Sequence, residues 1–202
     1  RWHSDSQRRR FDRERETLAR LRHLNIAALL DGGTTDAGRP YLAMELVEGQ
    51  PIDQYCDATR LDVGTRLRLL AQVFGAVQFA HARLIVHRDI KPANVFVDGH
   101  GTVKLLDFGI AKWLDDDTPA GLTRTQHRVL TPAHAAPEQF RGEAVTVATD
   151  VYQLGLLIYR LLAGVPALGD TLASSDELAR AVLETDPVPP SQAVRERRAA
   201  PA

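Results

Sequence analysis

The sequence predicts an α+β fold, in which several helices accompany two pairs of short strands. Apolar residues recur at helical spacing in three long segments, and turn residues bracket the short apolar segments that read as strands. With 202 residues, of which 44% are hydrophobic, the chain can bury a sizeable core. The formal net charge of -1 gives no electrostatic reason to expect a nucleic-acid or membrane partner.

The first predicted helix lies in RRRFDRERETLARLRHLNI, residues 8–26. Phe11, Leu18 and Leu21 fall on one stripe of this helix at 100° per residue. Glu14 lies on the same stripe, whereas Glu16 is about 200° away and points to solvent. A carboxylate on a buried face needs a partner, so Glu14 is a candidate functional residue.

Two strands are predicted next, IAALL at 26–30 and YLAMELV at 41–47. The turn signals Asp31-Gly32-Gly33 and Ala37-Gly38-Arg39-Pro40 bracket them. A linker containing Gly49 and Pro51 then leads to a mainly helical region.

The helical region begins with the longest amphipathic segment, TRLRLLAQVFGAVQFAHA at 65–82. NVFV and VKLL are predicted to form a hairpin around Asp98-Gly99-His100-Gly101. The apolar helix VYQLGLLIYRLLAGVPAL is too short and interrupted to span a membrane, so it is expected in the core. Residues after 186 are proline-rich and charged, which predicts a disordered tail. The predicted stripe of the long helix comprises Leu67, Leu70, Phe74, Val77 and His81.

The termini and the cysteine content predict a cytoplasmic domain. Residues 1–10 are arginine-rich and lack the apolar segment of a signal peptide. Cys56 is the only cysteine, so it cannot form an internal disulfide, and a reducing compartment fits best. No membrane contact is expected from this segment, although a longer parent protein could carry an anchor.

Three short motifs carry a family resemblance. HRDIKPAN begins at His87, DFG at Asp107 and APE at Ala136, and their order is that of a protein kinase catalytic loop, metal-binding motif and activation-segment end. The chain therefore resembles a bacterial serine/threonine protein kinase of the eukaryotic-like type. The resemblance implies a kinase-like bilobal fold, with a partial N-lobe at 1–47, a C-lobe at 48–186 and the tail at 187–202.

The resemblance implies a Mg²⁺- and ATP-dependent phosphoryl transfer to a protein substrate. Asp89 would accept the hydroxyl proton, and Lys91 would neutralise charge on the transferred phosphate. Asn94 and Asp107 supply the hard oxygen ligands that Mg²⁺ prefers.

Further positions are implied one at a time. Arg88 would meet an acidic group of the activation loop, and Asp150 would accept backbone N–H bonds from the catalytic loop. The adenine contacts would come from Met44, Glu45, Val47 and Phe96. An apolar column linking the lobes would comprise Leu18, Leu29, His87 and Phe108.

Lys91 and Thr131 resemble the serine/threonine branch of the family rather than the tyrosine branch. The segment before APE departs from the commoner GTxxYxAPE, because Leu130 replaces the glycine and His134 the tyrosine. Three threonines in the polar segment between DFG and APE are candidates for autophosphorylation, with the added charge meeting Arg88: Thr118, Thr123 and Thr125.

Two parts of a complete kinase have no counterpart in this sequence. No GxGxxG motif precedes the first helix, and the first lysine is Lys91, so Glu14 has no strand lysine to pair with. An arginine partner for Glu138 is also expected beyond the C-terminal end. We therefore expect a fragment with feeble or no activity. The alternatives are a pseudokinase that acts as a binding module and, less favoured by DFG and APE, a small-molecule phosphotransferase.

Overall fold

The computed structural model describes residues 5–108, 132–168 and 174–199. Short 3₁₀ turns lie at Pro92–Asn94 and Pro132–His134. The strands are β1 (Leu29–Thr34), β2 (Pro40–Met44), β3 (Gly49–Pro51), β4 (Val95–Asp98) and β5 (Val103–Leu105). The helices are α1 (Asp5–Ala19), α2 (Ile52–Ala58), α3 (Val63–His81), α4 (Pro137–Arg141), α5 (Val147–Ala163), α6 (Ser175–Glu184) and α7 (Pro190–Ala199).

The strands form two small antiparallel sheets, which confirms the predicted α+β class. Strands β1 and β2 pair with each other, and β3, β4 and β5 form the second sheet in that order. The predicted hairpin is β4–β5, with Val95 opposite Leu105. Backbone bonds from Ala27 N to Leu105 O and from Leu105 N to Asn25 O, at 3.0 and 2.9 Å, attach the segment after α1 to this sheet.

Two glycine-containing segments were predicted as turn and linker, and both predictions are wrong. Gly32 and Gly33 lie within β1, and Gly49 begins β3. A Cβ atom on Gly49 would lie 2.4 Å from the carbonyl oxygen of Val97, so only glycine permits this strand pairing. Close backbone approach, rather than chain reversal, explains the glycine here.

The core lies between α3, α5 and the second sheet, and the predicted face of α3 is partly wrong. Leu70 and Val77 are buried as expected, but Leu67 and Phe74 are 48% and 38% exposed. The neighbouring Val73 is fully buried in their place. Asp62 caps this helix by accepting a 2.9 Å bond from Thr65 N, which starts the helix two residues before the predicted segment. Within the described ranges, none of the helices has the length and apolarity needed to cross a bilayer.

The predicted disorder after residue 186 is wrong for Pro190–Ala199, which forms α7. The helix packs on α5, where Ala193 joins Tyr159 and Ala163 in a small second apolar cluster. Proline is compatible with the first turn of a helix, and that position is where Pro190 lies. The domain boundaries at residues 47 and 186 stay predictions.

Candidate active site

The β4–β5 hairpin brings the two main motifs together. Asn94 directly precedes β4, and Leu106 directly follows β5. Leu106 N donates to Asn94 O at 2.8 Å, and Asn94 N donates to Lys91 O at 2.9 Å. The HRDIKPAN loop and Asp107 are therefore held at the same end of this hairpin.

Three of the predicted site residues form one hydrogen-bonded group. Lys91 Nζ lies 2.9 Å from Asp89 Oδ2. The amide nitrogen of Asn94 donates to the backbone oxygen of Asp89 at 2.8 Å and to its Oδ2 at 3.1 Å. This arrangement commits the Asn94 nitrogen to the loop, and among the described bonds its Oδ1 atom has no donor.

Unusual backbone conformations occur at both motifs. Arg88 has φ of 72° and Asp107 has φ of 49°, in the left-handed region that side-chain-bearing residues rarely adopt. Such conformations cost about 1–3 kcal/mol each and persist where surrounding structure holds them, commonly at functional sites. Arg60 and Leu84, which lie outside the motifs, also have positive φ, so this conformation occurs in both motifs but is not confined to them.

The side chain of His87 links the HRDIKPAN loop to the segment that precedes DFG. Its Nε2 atom contacts Leu106 O at 2.8 Å, and a carbonyl can only accept, so Nε2 carries the proton. Nδ1 then accepts from Asp89 N at 3.3 Å, which requires the neutral ring. Burial lowers the pKa of His87 and outweighs the nearby charge of Asp150. The ring also packs on Phe108, with centroids 4.6 Å apart.

Asp150 anchors the catalytic loop to α5. Its carboxylate is fully buried and accepts from His87 N at 2.8 Å and Arg88 N at 2.7 Å. His81 Nε2 lies 2.7 Å from the same carboxylate, a contact that the sequence did not indicate. The predicted contact of Asp150 with the catalytic-loop backbone is present, and these bonds offset the cost of burying the carboxylate.

Two glutamines also support the loop, and sequence reasoning missed both. Gln153 accepts from Ile90 N at 2.8 Å and donates to Arg88 O at 3.1 Å. Gln139 donates to the same Arg88 oxygen at 3.2 Å. Gln153 follows Asp150 by three positions, so both lie on one face of α5, and that spacing was the available signal.

The predicted adenine-contacting residues lie in both sheets and in the segment that connects them. Glu45 follows β2, and Phe96 lies in β4 opposite Lys104. The Glu45 side chain is fixed by Lys104 Nζ at 2.7 Å and by Ala28 N at 3.1 Å, so the lysine lowers the pKa of this carboxyl. In the described part of the chain, neither Glu45 O nor Val47 N has a hydrogen bond.

The predicted apolar column lies beside the same region. Leu18, Leu29, Met44 and Phe108 line one small cavity. His87 reaches the group through its ring contact with Phe108. The structure thus brings together residues from α1, β1, β2 and both motifs.

Other predicted residues cannot be placed or have unexpected partners. The side chain of Glu14, within α1, lies outside the described residues, as do Thr118, Thr123, Thr125 and Thr131. Glu138 accepts a short hydrogen bond from the Thr149 hydroxyl, where an arginine was expected from beyond the chain.

The oxygen donors available at the site are of the kind that Mg²⁺ binds. The Asp107 side chain is exposed, and Asn94 Oδ1 has no described donor. Among the described residues, no group of three or more His, Cys, Asp or Glu is arranged to hold a metal ion. A site with only two protein ligands suits Mg²⁺ held partly by substrate phosphates, because this ion keeps water and phosphate ligands.

Comparison with known proteins decides the family. Residues 2–195 match the family described as the protein kinase domain. This chain belongs to the protein kinase family. The kinase-like fold expected from the three motifs is thereby confirmed for this kinase domain.

Bacterial kinases are among its relatives. The serine/threonine-protein kinase PknB of Mycobacterium leprae is 37% identical over 188 residues, which are 91% of this chain and 29% of the relative. The serine/threonine-protein kinase pkn3 of Myxococcus xanthus is 37% identical over 201 residues, 96% of this chain and 36% of the relative. The chain therefore spans about a third of the length of these relatives.

Proposed function

We propose that this kinase domain transfers the γ-phosphate of ATP to serine or threonine hydroxyls of proteins. The proposal rests on the group formed by Asp89, Lys91 and Asn94, which contacts of 2.8–3.1 Å join. A 2.8 Å bond from Leu106 N to Asn94 O ties this group to the residue before Asp107. The names of the bacterial relatives support serine and threonine as acceptors.

Asp89 would position the acceptor hydroxyl and receive its proton as the oxygen–phosphorus bond forms. Lys91, 2.9 Å from this carboxylate, would offset negative charge on the transferred phosphoryl group. The bond from phosphorus to the bridging oxygen of ADP breaks in the same transfer. Phosphoryl transfer requires mainly positioning and charge neutralisation, and the Asn94 bond to Asp89 supplies the first of these.

Asn94 and Asp107 would hold Mg²⁺. Bound there, the ion would neutralise charge on the β- and γ-phosphates. The hydrogen bonds of Asn94 turn its nitrogen toward Asp89, which leaves the oxygen for a cation. The positive φ of Asp107 sets the direction in which its side chain projects from the backbone.

Glu45 O, Val47 N and the side chains of Met44 and Phe96 would hold adenine. The contacts of Glu45 Oε1 with Lys104 and of Glu45 Oε2 with Ala28 N fix the side chain of this segment. Arg88 would pair with a phosphorylated threonine of the segment between DFG and APE. Glu14 would take the strand lysine that a complete N-lobe supplies.

The test compares the 202-residue chain with a version extended upstream in its reading frame. We expect Mg²⁺-dependent transfer of labelled phosphate to protein serine or threonine by the extended version. Asp107→Asn should reduce it at least a hundredfold, whereas Asp36→Asn, in an exposed turn, should not. ATP binding without any transfer by the extended version would favour the pseudokinase alternative. Robust transfer by the short chain would contradict the expected need for a glycine-rich loop and strand lysine.

A further inference from the structure

A second cavity adjoins the proposed acceptor site. It encloses about 540 Å³ and is lined by residues of α2, the catalytic loop, α5 and α6. Lys91 belongs to its wall, and the Lys91 Nζ atom lies 2.9 Å from Asp89 Oδ2. A group bound in this cavity would therefore lie close to the residue that receives the acceptor hydroxyl.

The charged side chains of the wall are Lys91, Arg160 and Asp53. The side chains of Lys91 and Arg160 are 18% and 32% exposed, so solvent and a ligand can reach them. Leu156 and Leu178 contribute apolar surface. Lys91 is already paired with Asp89 at 2.9 Å, whereas Arg160 lies 3.7 Å from its nearest carboxylate, Asp53. Arg160 is therefore the cation of the wall that most favours an anionic group, and the partly apolar surroundings strengthen the attraction.

The cation and the carboxylate of this wall differ in how many of their hydrogen-bonding atoms are already engaged. Asp53 Oδ1 accepts from Gln54 N at 2.9 Å, and Oδ2 lies 3.7 Å from Arg160 Nε. Arg160 Nη1 makes only a 3.4 Å contact with Gly164 O, and Nη2 has no partner among the described residues. The carboxylate oxygens are thus both engaged, whereas the guanidinium keeps donors for a ligand.

His134 adds a polar atom to the same wall. Its Nδ1 atom is buried and has no hydrogen-bond partner in the described part of the chain. Burial, and next the charge of Lys91, lower the pKa of this ring, which keeps it neutral near pH 7. Buried polar atoms almost always have a partner, so an oxygen ligand would satisfy a protonated Nδ1.

We propose that Arg160, with Lys91 and His134, forms a subsite for an acidic side chain of the protein substrate. The ligand chemistry is a carboxylate or a phosphate, carried by an Asp, a Glu or a phosphorylated residue near the acceptor hydroxyl. Arg160 would bind it through the bidentate geometry that guanidinium groups give with such anions. This inference rests on the proposed kinase function and adds the class of substrate.

The test uses the upstream-extended version and peptides with one central threonine. One flanking position at a time is fixed as Glu, phosphoserine, Ala or Lys, and the phosphorylation rate is measured. We expect a preference for Glu or phosphoserine of about tenfold over Ala at one or two positions, with Lys disfavoured. The Glu and phosphoserine arms distinguish the two sources of the anion.

Variants of Arg160 locate the preference. Arg160→Gln should remove it, Arg160→Glu should favour Lys, and Arg160→Lys should retain part of it. Asp53→Asn should strengthen the preference by freeing the guanidinium. Because the contact is remote from the reacting atoms, the change should appear in KM more than in kcat. The matched control is Arg68→Gln on α3, an exposed arginine outside the cavity wall, which should leave the preference unchanged.

The outcomes separate the two proposals. An acidic preference that disappears in Arg160→Gln and persists in Arg68→Gln supports the subsite. Phosphorylation with no acidic preference, or with a preference that Arg160→Gln leaves intact, overturns the subsite while the kinase function stands. A third outcome is that the extended version melts cooperatively, and is therefore folded, but phosphorylates none of the peptides. That outcome would overturn the kinase function, and the subsite with it.

Discussion

Asp150→Asn is expected to destabilise the chain by removing one acceptor from a buried backbone donor. The carboxylate places one oxygen against Arg88 N at 2.7 Å and the other against His87 N at 2.8 Å. An asparagine supplies a single oxygen, so its NH₂ group must face one of these two N–H groups. A buried donor without its acceptor costs about 1–3 kcal/mol, and we therefore expect a loss of about 2 kcal/mol.

The assay is urea denaturation of the 202-residue chain followed by far-ultraviolet circular dichroism. The midpoint should fall with little change in the denaturant slope, because the same surface is exposed on unfolding. Asp36→Asn, in the exposed turn between β1 and β2, should change stability by less than about 0.5 kcal/mol. If Asp150→Asn is as stable as this control, Asp150 does not hold the catalytic loop as described.

Three further outcomes are expected. Asn25→Ala should lower the free energy of unfolding by about 2 kcal/mol in urea denaturation, because it removes a buried 2.8 Å bond to Val103 O and a partly buried 2.9 Å bond to Gln72. A loss under about 0.5 kcal/mol would contradict this. Thr146→Ala should lower the free energy of unfolding by about 1 kcal/mol, because it removes the N-cap of α5. Thr146→Ser keeps the capping hydroxyl and should therefore cost less; an equal loss would show that capping is not the cause. Burial holds the pKa of His87 in the folded chain below the ordinary histidine value of 6.5. Its contribution to stability is therefore complete above that pH and falls as the pH decreases below it. Histidine NMR should show His87 titrating below pH 6.5, the ordinary pKa of a histidine; titration at or above pH 6.5 would refute neutral burial.

The motif residues were predictable from sequence because phosphoryl transfer requires particular side chains in a fixed order. HRDIKPAN, DFG and Asp150 could be placed in this way, and the hairpin around residues 98–101 followed from its turn residues. The support from Gln139 and Gln153 was not predicted. The spacing of Gln153 from Asp150 places both on one face of α5, but the sequence does not identify a backbone partner 50–65 residues away.

The wrong predictions of a turn and a linker at the glycines of β1 and β3, and of a disordered C-terminal tail, have the same physical origin. Gly32, Gly33 and Gly49 have high turn propensity, but tertiary packing against β2 and β4 decides their conformation. The segment Pro190–Ala199 is polar on its own, yet Ala193 finds an apolar partner surface on α5. The proposed subsite around Arg160 was not predicted from the sequence either, because Asp53, Lys91 and His134 come together only in the folded chain.

Single-turnover phosphoryl transfer measures the contribution of Asp89 as the base. The upstream-extended version is loaded with Mg²⁺ and labelled ATP and mixed with a threonine peptide, and ATP affinity is measured in parallel. We expect Asp89→Asn to slow the transfer step by about 10²–10⁴-fold with ATP affinity within about threefold of native. Transfer by Asp89→Asn at the native rate would contradict the role assigned to this carboxylate.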